Sequence, residues 1–153
     1  MDYEERIRDL GLELPEVPQP AGSYDLCCIE HNLVFLSGQL SKDAQGNLLS
    51  GRVGEGVSLE NGQKAAEAAA LQVISVIKHS IGFNRINRLV RLVGYVQVSE
   101  GFHDISQVVN GASDVFIRVF GDKGRHTRSV VGVKSLPMNA VVELEAILAV
   151  TKG

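Results

Sequence analysis

The sequence contains no tryptophan, and aromatic residues make up only 5% of its 153 positions. It also has no excess of positive charge, because 15 Lys and Arg residues stand against 18 Asp and Glu residues, for a net charge of -3. Proteins that bind nucleic acid usually present a basic surface and aromatic rings on which bases stack. The composition therefore argues against a nucleic-acid partner.

Long apolar runs are missing as well, and no stretch approaches the roughly 18 apolar residues of a membrane-spanning helix. The first residues, Met1–Glu5, are acidic, whereas a signal peptide begins with a basic segment followed by an apolar one. These two features predict a cytoplasmic protein that does not contact a membrane.

Cysteine and histidine are too few and too unfavourably spaced to indicate a disulfide framework or a metal site. Cys27 and Cys28 are adjacent, and neighbouring side chains of a strand point to opposite faces. The four histidines form no HxH or HxxxH pair. We therefore expect two buried thiols in a strand and no metal centre.

The hydrophobic patterns that are present predict one α+β domain, since a chain of about 150 residues can bury a core of its own. We expect residues 1–21 to form an N-terminal extension, made of a short helix and a proline-rich arm, and residues 22–151 to form the domain. Inside the domain the patterns predict, in chain order, two paired strands (24–30 and 33–40), a long connection (41–56), a helix starting after Ser58, a strand (88–99), a helix (105–119) and two more strands (128–133 and 140–150).

Two helices can cover only one face of such a sheet. The opposite faces of the strands are not uniformly polar, so something else must cover them. The simplest cover is another copy of the chain. The sequence therefore predicts a homo-oligomer in which sheet faces pack together.

The charged residues that could perform chemistry lie in the last two strands. Glu143 and Glu145 fall on the face opposite the apolar series of the final strand. If the two strands pair as a hairpin, Arg128 lies directly opposite Glu143 and the apolar faces of both strands agree. An anion, a water molecule and a carboxylate could then share one pocket. The alternative is a structural ion pair across the two strands.

The same residues resemble a known family. Arg128–Val133, Leu136-Pro137 and Val142–Ile147 are similar to the C-terminal signature of the Rid family, the reactive intermediate deaminases that are also called YjgF or endoribonuclease L-PSP proteins. Further resemblances are found at three upstream places: Tyr24, Ser37-Gly38-Gln39 and Asn110. The resemblance covers nearly all of the chain from residue 22 to residue 150.

This resemblance implies a chorismate-mutase-like mixed sheet with two helices on one face, assembled as a homotrimer with ligand clefts between subunits. It also implies an activity that uses no cofactor: hydrolysis of reactive enamines and imines, such as 2-aminoacrylate, to 2-keto acids and ammonia. A trimer that only binds a small carboxylate, with or without a regulatory role, is the alternative, and an endoribonuclease is a third possibility that the net charge disfavours.

By the same resemblance, Arg128 would bind the substrate carboxylate and Glu143 would hold and activate the attacking water. The cleft would be lined by five further residues: Tyr24, Ser37, Gly38, Asn110 and Val130. The chain departs from the family where Val130 replaces a frequent cysteine and where His126-Thr127 replaces Pro-Ala. The sequence leaves two roles open for His126, a proton donor beside Arg128 and a surface histidine.

Overall fold

A computed structural model describes residues 2–152 of the chain. Its helices and strands are α1 (Tyr3–Asp9), β1 (Cys27–Glu30), β2 (Leu33–Leu40), β3 (Arg52–Val53), β4 (Gly56–Val57), α2 (Leu59–Ser80), β5 (Ile86–Gln97), α3 (Ile105–Phe120), β6 (Thr127–Val133) and β7 (Val142–Val150). Three short 3-10 turns accompany them, at Phe83–Arg85, Gly121–Gly124 and Pro137–Asn139.

Five of the strands form one mixed sheet in the order β1-β2-β7-β5-β6. β7 lies at its centre and runs antiparallel to both β2 and β5, whereas β5 and β6 are parallel. Helices α2 and α3 pack on one face of this sheet, and β3 and β4 form a separate two-stranded ladder. The predicted α+β class, with a mixed sheet and two helices on one face, is confirmed.

Both long helices start and end as their sequences predict. The Ser58 hydroxyl accepts a hydrogen bond from the backbone N–H of Asn61 at 3.1 Å and so caps α2, and Gly82, with a φ of 89°, follows its end. The apolar stripe of α3 buries Phe116 completely. No helix within residues 2–152 is long and apolar enough to cross a membrane.

The predicted hairpin between the last two strands is wrong. β6 is an edge strand beside β5, where Arg128 pairs with Leu92, while β7 lies on the other side of β5, where Glu143 pairs with Tyr95. The sequence β5–α3–β6 is a strand–helix–strand unit, and such a crossover makes its two strands parallel. Alternation of apolar residues divides the side chains of a strand into two sets, but for β6 it revealed neither which set faces the helices nor which strand lies next to it.

The connection from β6 to β7 therefore has to cross the end of β5, and one buried side chain holds it there. Gln97, only 1% exposed, donates from Nε2 to the Gly51 carbonyl and to Asn139 Oδ1, and its Oε1 accepts from the backbone N–H of Leu136. All the hydrogen-bonding groups of this buried amide are used, as burial of a polar group requires.

The N-terminal segment packs against the helical layer. Tyr3 contacts Phe83 and Phe120 edge to face, Ile7 is buried, and the Ser75 hydroxyl donates to the Pro15 carbonyl at 2.8 Å. The division of the chain into an extension and a domain at residue 21 stays a prediction.

No helix of the described chain covers the second face of the sheet. Leu33, Phe35 and Val131 project from it and remain 39%, 43% and 46% exposed. Cys28 pairs with Phe35 on this face and is exposed too, and Cys27 is only half-buried, so the expectation of two buried thiols is wrong. We call this surface the outer face, and the surface under α2 and α3 the helix face.

Candidate functional site

Arg128 lies on the helix face, between β6 and α3. Its Nη1 donates to Asn110 Oδ1 at 2.8 Å and to Ser113 Oγ at 3.0 Å, and its Nη2 donates to the Ser106 carbonyl at 3.4 Å. All three acceptors belong to α3, so the helix fixes the plane of the guanidinium. Both hydrogens of Nη1 are used, whereas Nε has no partner among residues 2–152. The edge formed by Nε and Nη2 is therefore the one available to a planar anion.

His126 is not a surface histidine but a half-buried neighbour of Arg128. Its Nε2 lies 2.9 Å from Ser113 Oγ, and its Nδ1 lies 2.6 Å from the Gly124 carbonyl oxygen. Burial, together with the positive charge of Arg128, lowers the pKa of His126, and the hydrogen bond to Gly124 only partly opposes these effects. These effects favour the neutral form of the ring.

Glu143 lies on the outer face, against β2. A Cβ added to Gly38 would lie 2.9 Å from Cδ of Glu143, so this carboxyl group packs directly on the glycine backbone. Burial and, secondarily, the negative charge of Glu145 raise the pKa of Glu143. Such a carboxylate is a better proton acceptor than an exposed glutamate.

Glu145 and Tyr95 extend this acidic group along the outer face. The Tyr95 hydroxyl donates to Glu145 Oε1 at 2.5 Å, and this hydrogen bond is the main reason that the pKa of Tyr95 is raised. Val93 and Tyr95 of β5 pair with Glu145 and Glu143 of β7, which places all four side chains on one face. Glu143 itself has no hydrogen-bond donor among the side chains of residues 2–152.

Tyr24 and Ser37 are held beside Gly38 by hydrogen bonds to the backbone. The Tyr24 ring is 48% exposed, and its oxygen accepts from the Ala21 N–H at 3.0 Å. The Ser37 hydroxyl donates to the Asp25 carbonyl at 2.6 Å, which fixes the segment before β1. Tyr24 and Gly38 line a cavity of about 120 Å³, together with Met138 of the connection that crosses β5.

The structure thus divides the predicted site residues into two groups. Arg128, Asn110 and Val130 share the helix face, although Val130 packs mainly against the core. Four others lie together at the outer face or its rim: Tyr24, Ser37, Gly38 and Glu143. Within one chain the expected pocket shared by Arg128 and Glu143 does not exist, because the two side chains point to opposite faces of the sheet.

Sequence reasoning did not identify Ser113 or Tyr95 as part of these groups. Ser113 follows Asn110 by three residues on α3, a spacing that puts two side chains on the same helix face, so this residue could have been found. Tyr95 needed the pairing of β5 with β7, which the alternation did not reveal. No three His, Cys, Asp or Glu side chains of residues 2–152 are grouped so that they could hold a metal ion.

Comparison with known proteins shows which family shares this sequence and fold. Residues 4–149 match the family described as "YjgF/chorismate_mutase-like, putative endoribonuclease". Protein TCP17 of Trypanosoma cruzi is 39% identical over 144 residues, which are 93% of this chain and 90% of the relative. A 2-iminobutanoate/2-iminopropanoate deaminase of Dermatophagoides farinae is 27% identical over 142 residues, 91% of this chain and 94% of the relative.

A solved structure with the same fold is the Agrobacterium tumefaciens protein Atu1372, whose function is unknown. It superimposes with a TM-score of 0.90 at 35% identity, over 97% of this chain and 92% of that one. Together with the family match over most of the chain, this similarity settles the membership that the C-terminal signature predicts. The chain belongs to the YjgF family, that is, the Rid family.

Proposed function

We propose that this protein hydrolyses small enamines and imines of the 2-aminoacrylate type to 2-keto acids and ammonia. The observation that carries the proposal is the guanidinium of Arg128, which α3 orients so that its Nε–Nη2 edge is left for a carboxylate. The relative named 2-iminobutanoate/2-iminopropanoate deaminase supports the same reaction class.

In this proposal Arg128 binds the substrate carboxylate and fixes the position of the adjacent C=N carbon. A fork of two N–H groups matches the two oxygens of a carboxylate, which sets both distance and plane. Asn110 takes no part in the chemistry but holds Nη1. Because such imines also hydrolyse in water without an enzyme, correct placement of the substrate and one water molecule is sufficient.

Glu143 acts as the base for the attacking water. An enamine first becomes the imine by gaining a proton at its terminal carbon and losing one from nitrogen. The water oxygen then bonds to the imine carbon, Glu143 accepts a proton from the water, and the nitrogen takes this proton from Glu143 to give a carbinolamine. Glu143 next accepts the hydroxyl proton of the carbinolamine and passes it to the nitrogen, the C=O bond forms, the C–N bond breaks, and ammonia leaves. The raised pKa of Glu143 favours this exchange of protons near neutral pH.

Arg128 and Glu143 point to opposite faces of one sheet, so one chain cannot bring both to a substrate. We propose a homotrimer in which the outer face of one copy supplies Glu143, Gly38 and Tyr24 to a cleft where the next copy supplies Arg128. The exposed apolar side chains of the outer face support this assembly, since another copy would remove them from water.

The test combines a dehydratase, which releases 2-aminoacrylate, with detection of the keto acid. We expect the protein to accelerate keto-acid formation and light scattering to give the mass of a trimer. Binding of a 2-keto acid without acceleration would favour the alternative, a carboxylate-binding protein that does not turn over. RNA cleavage that is lost in Glu143→Gln would instead support an endoribonuclease, and a monomeric mass would contradict the shared cleft.

A further inference from the structure

Three hydrogen bonds form a relay that runs from Arg128 through Ser113 to His126 and ends on the backbone of Gly124. Its three links measure 3.0, 2.9 and 2.6 Å. The carbonyl of Gly124 can only accept, so Nδ1 of His126 carries a hydrogen. The guanidinium can only donate, so Ser113 Oγ accepts from Arg128. The hydroxyl hydrogen of Ser113 then has one acceptor left in the relay, Nε2 of His126.

Only one form of the imidazole completes this relay, the neutral ring protonated on Nδ1. If Nε2 also carried a hydrogen, His126 and Arg128 would both donate to Ser113 Oγ, and the serine hydrogen would lose its acceptor in the relay. Protonation of both ring nitrogens would also place a second positive charge next to the guanidinium. Burial and the charge of Arg128, which lower the pKa of His126, act in the direction that keeps the ring neutral.

Both ends of the relay, Arg128 and Gly124, are fixed to α3. A Cβ at Gly124 would collide with the backbone of Phe116, so this buried glycine lets the turn Gly121–Gly124 lie directly against the end of the helix. The His126 ring stands edge to face against Phe116, with ring centroids 6.1 Å apart. The imidazole is therefore held by packing as well as by hydrogen bonds, and it can transmit a fixed position to Ser113.

We propose that His126, as a neutral imidazole protonated on Nδ1, is a positioning residue that acts through Ser113 to hold the guanidinium of Arg128, so that the Nε–Nη2 edge faces the cleft. The identity of the anion at that edge, a 2-imino or 2-keto acid, rests on the proposed function. The placement of Arg128 does not, because every link lies within one chain.

The side-chain ¹⁵N spectrum tests the relay without any substrate. At pH near 7 we expect His126 to show the Nδ1–H tautomer and Arg128 to show separate, slowly exchanging Nη signals. His126→Phe keeps the packing on Phe116 but removes both polar atoms, and in it the Nη signals should average. His126→Gln can place an amide oxygen where Nε2 lies and should restore the separate signals. An Nε2–H tautomer, a charged ring or unchanged Nη signals in His126→Phe would overturn the proposal.

Kinetics separate a positioning role from a merely structural one. We expect His126→Phe and Ser113→Ala each to raise KM about three- to tenfold while kcat stays within about twofold, because the water-activating carboxylate lies elsewhere. The double variant should be no worse than either single one, since each breaks the same relay. His79→Phe, at the exposed end of α2, is the control. A loss confined to kcat, or fully additive effects, would contradict the relay.

The two proposals fail separately. If the wild type hydrolyses no imine but the ¹⁵N signals change as described, the deaminase proposal is wrong and the relay stands. If the wild type hydrolyses imines and His126→Phe leaves KM unchanged, the relay is wrong and the deaminase proposal stands.

Discussion

The candidate site residues on the two faces of the sheet differ in how far one chain holds them in place. On the helix face, Arg128 is held by Asn110 and Ser113, and Ser113 is held in turn by His126, so the group is complete within one chain. On the outer face, Glu143 has neither a cation nor a hydrogen-bond donor among the side chains of residues 2–152, and it shares that face with the exposed apolar residues Leu33, Phe35 and Val131. The first group is already organised for binding, whereas the second is organised only by its packing on Gly38.

In the proposed reaction, this contrast is the reason that each group needs the other. A guanidinium with a fixed plane can bind and orient a carboxylate, but it cannot accept a proton from water. A half-buried carboxylate with a raised pKa can accept that proton, but it repels an anionic substrate. A cleft between two copies would combine the two functions. Substitutions in either group therefore test different steps of the proposed reaction.

Removal of the guanidinium should have the largest effect. Arg128→Ala loses a bidentate, charge-assisted contact to the substrate, so we expect kcat/KM to fall about 100- to 1,000-fold. Arg128→Lys keeps the charge but not the fork and should recover little. The measurement is keto-acid formation in the coupled assay, with Arg118→Ala on the exposed side of α3 as control. Activity of Arg128→Ala close to that of wild type would remove Arg128 from the site.

Displacement of the Glu143 carboxyl group should have the second-largest effect on activity. Gly38→Ala puts a methyl group 2.9 Å from Cδ of Glu143, and the flexible carboxyl end moves more easily than the strand. We expect kcat to fall about 10- to 100-fold with little change in thermal stability, since a misplaced base is costly. Glu143→Gln should show a similar loss without the steric displacement. If Gly38→Ala is fully active, the contact between this glycine and Glu143 has no functional role.

The smallest expected effect is a shift in pH dependence. Glu143 must be ionised to accept a proton, so its raised pKa moves the acid limb of kcat/KM to a higher pH than an ordinary glutamate would give. Glu145→Gln removes the secondary cause, the negative charge, and should move that limb to lower pH. Burial, the main cause, remains, so the shift should be partial. Glu100→Gln, an exposed glutamate after β5, is the control, and an unshifted or raised limb in Glu145→Gln would contradict this assignment.

Much of the fold was predictable from local pattern. The apolar stripe and the Ser58 cap identify α2, and the alternation in 142–150 places Glu143 and Glu145 on one face. The motif around Arg128 identifies the family, a membership that the match over residues 4–149 confirms. These features depend on residues close in sequence, where spacing determines geometry.

The neighbours of β6 and β7 were not predictable in the same way. Both strands alternate, and alternation is satisfied equally by a hairpin and by two separate pairings with β5. The predicted hairpin put Arg128 on the same face as Glu143, whereas the structure puts these two side chains on opposite faces. The buried amide of Gln97, which holds the crossing connection, gives no signal in the sequence that distinguishes it from an exposed glutamine.

The most direct test of the shared cleft is complementation between two variants of low activity. Arg128→Ala and Glu143→Gln, co-expressed in equal amounts with different tags, should form mixed trimers in which one cleft combines the intact arginine of one copy with the intact glutamate of the next. For random mixing in a cyclic trimer we expect about a quarter of the wild-type activity to return. If purified mixed oligomers are no more active than the two parents, Arg128 and Glu143 do not act in one cleft, and the two faces of the sheet do not complement each other between copies.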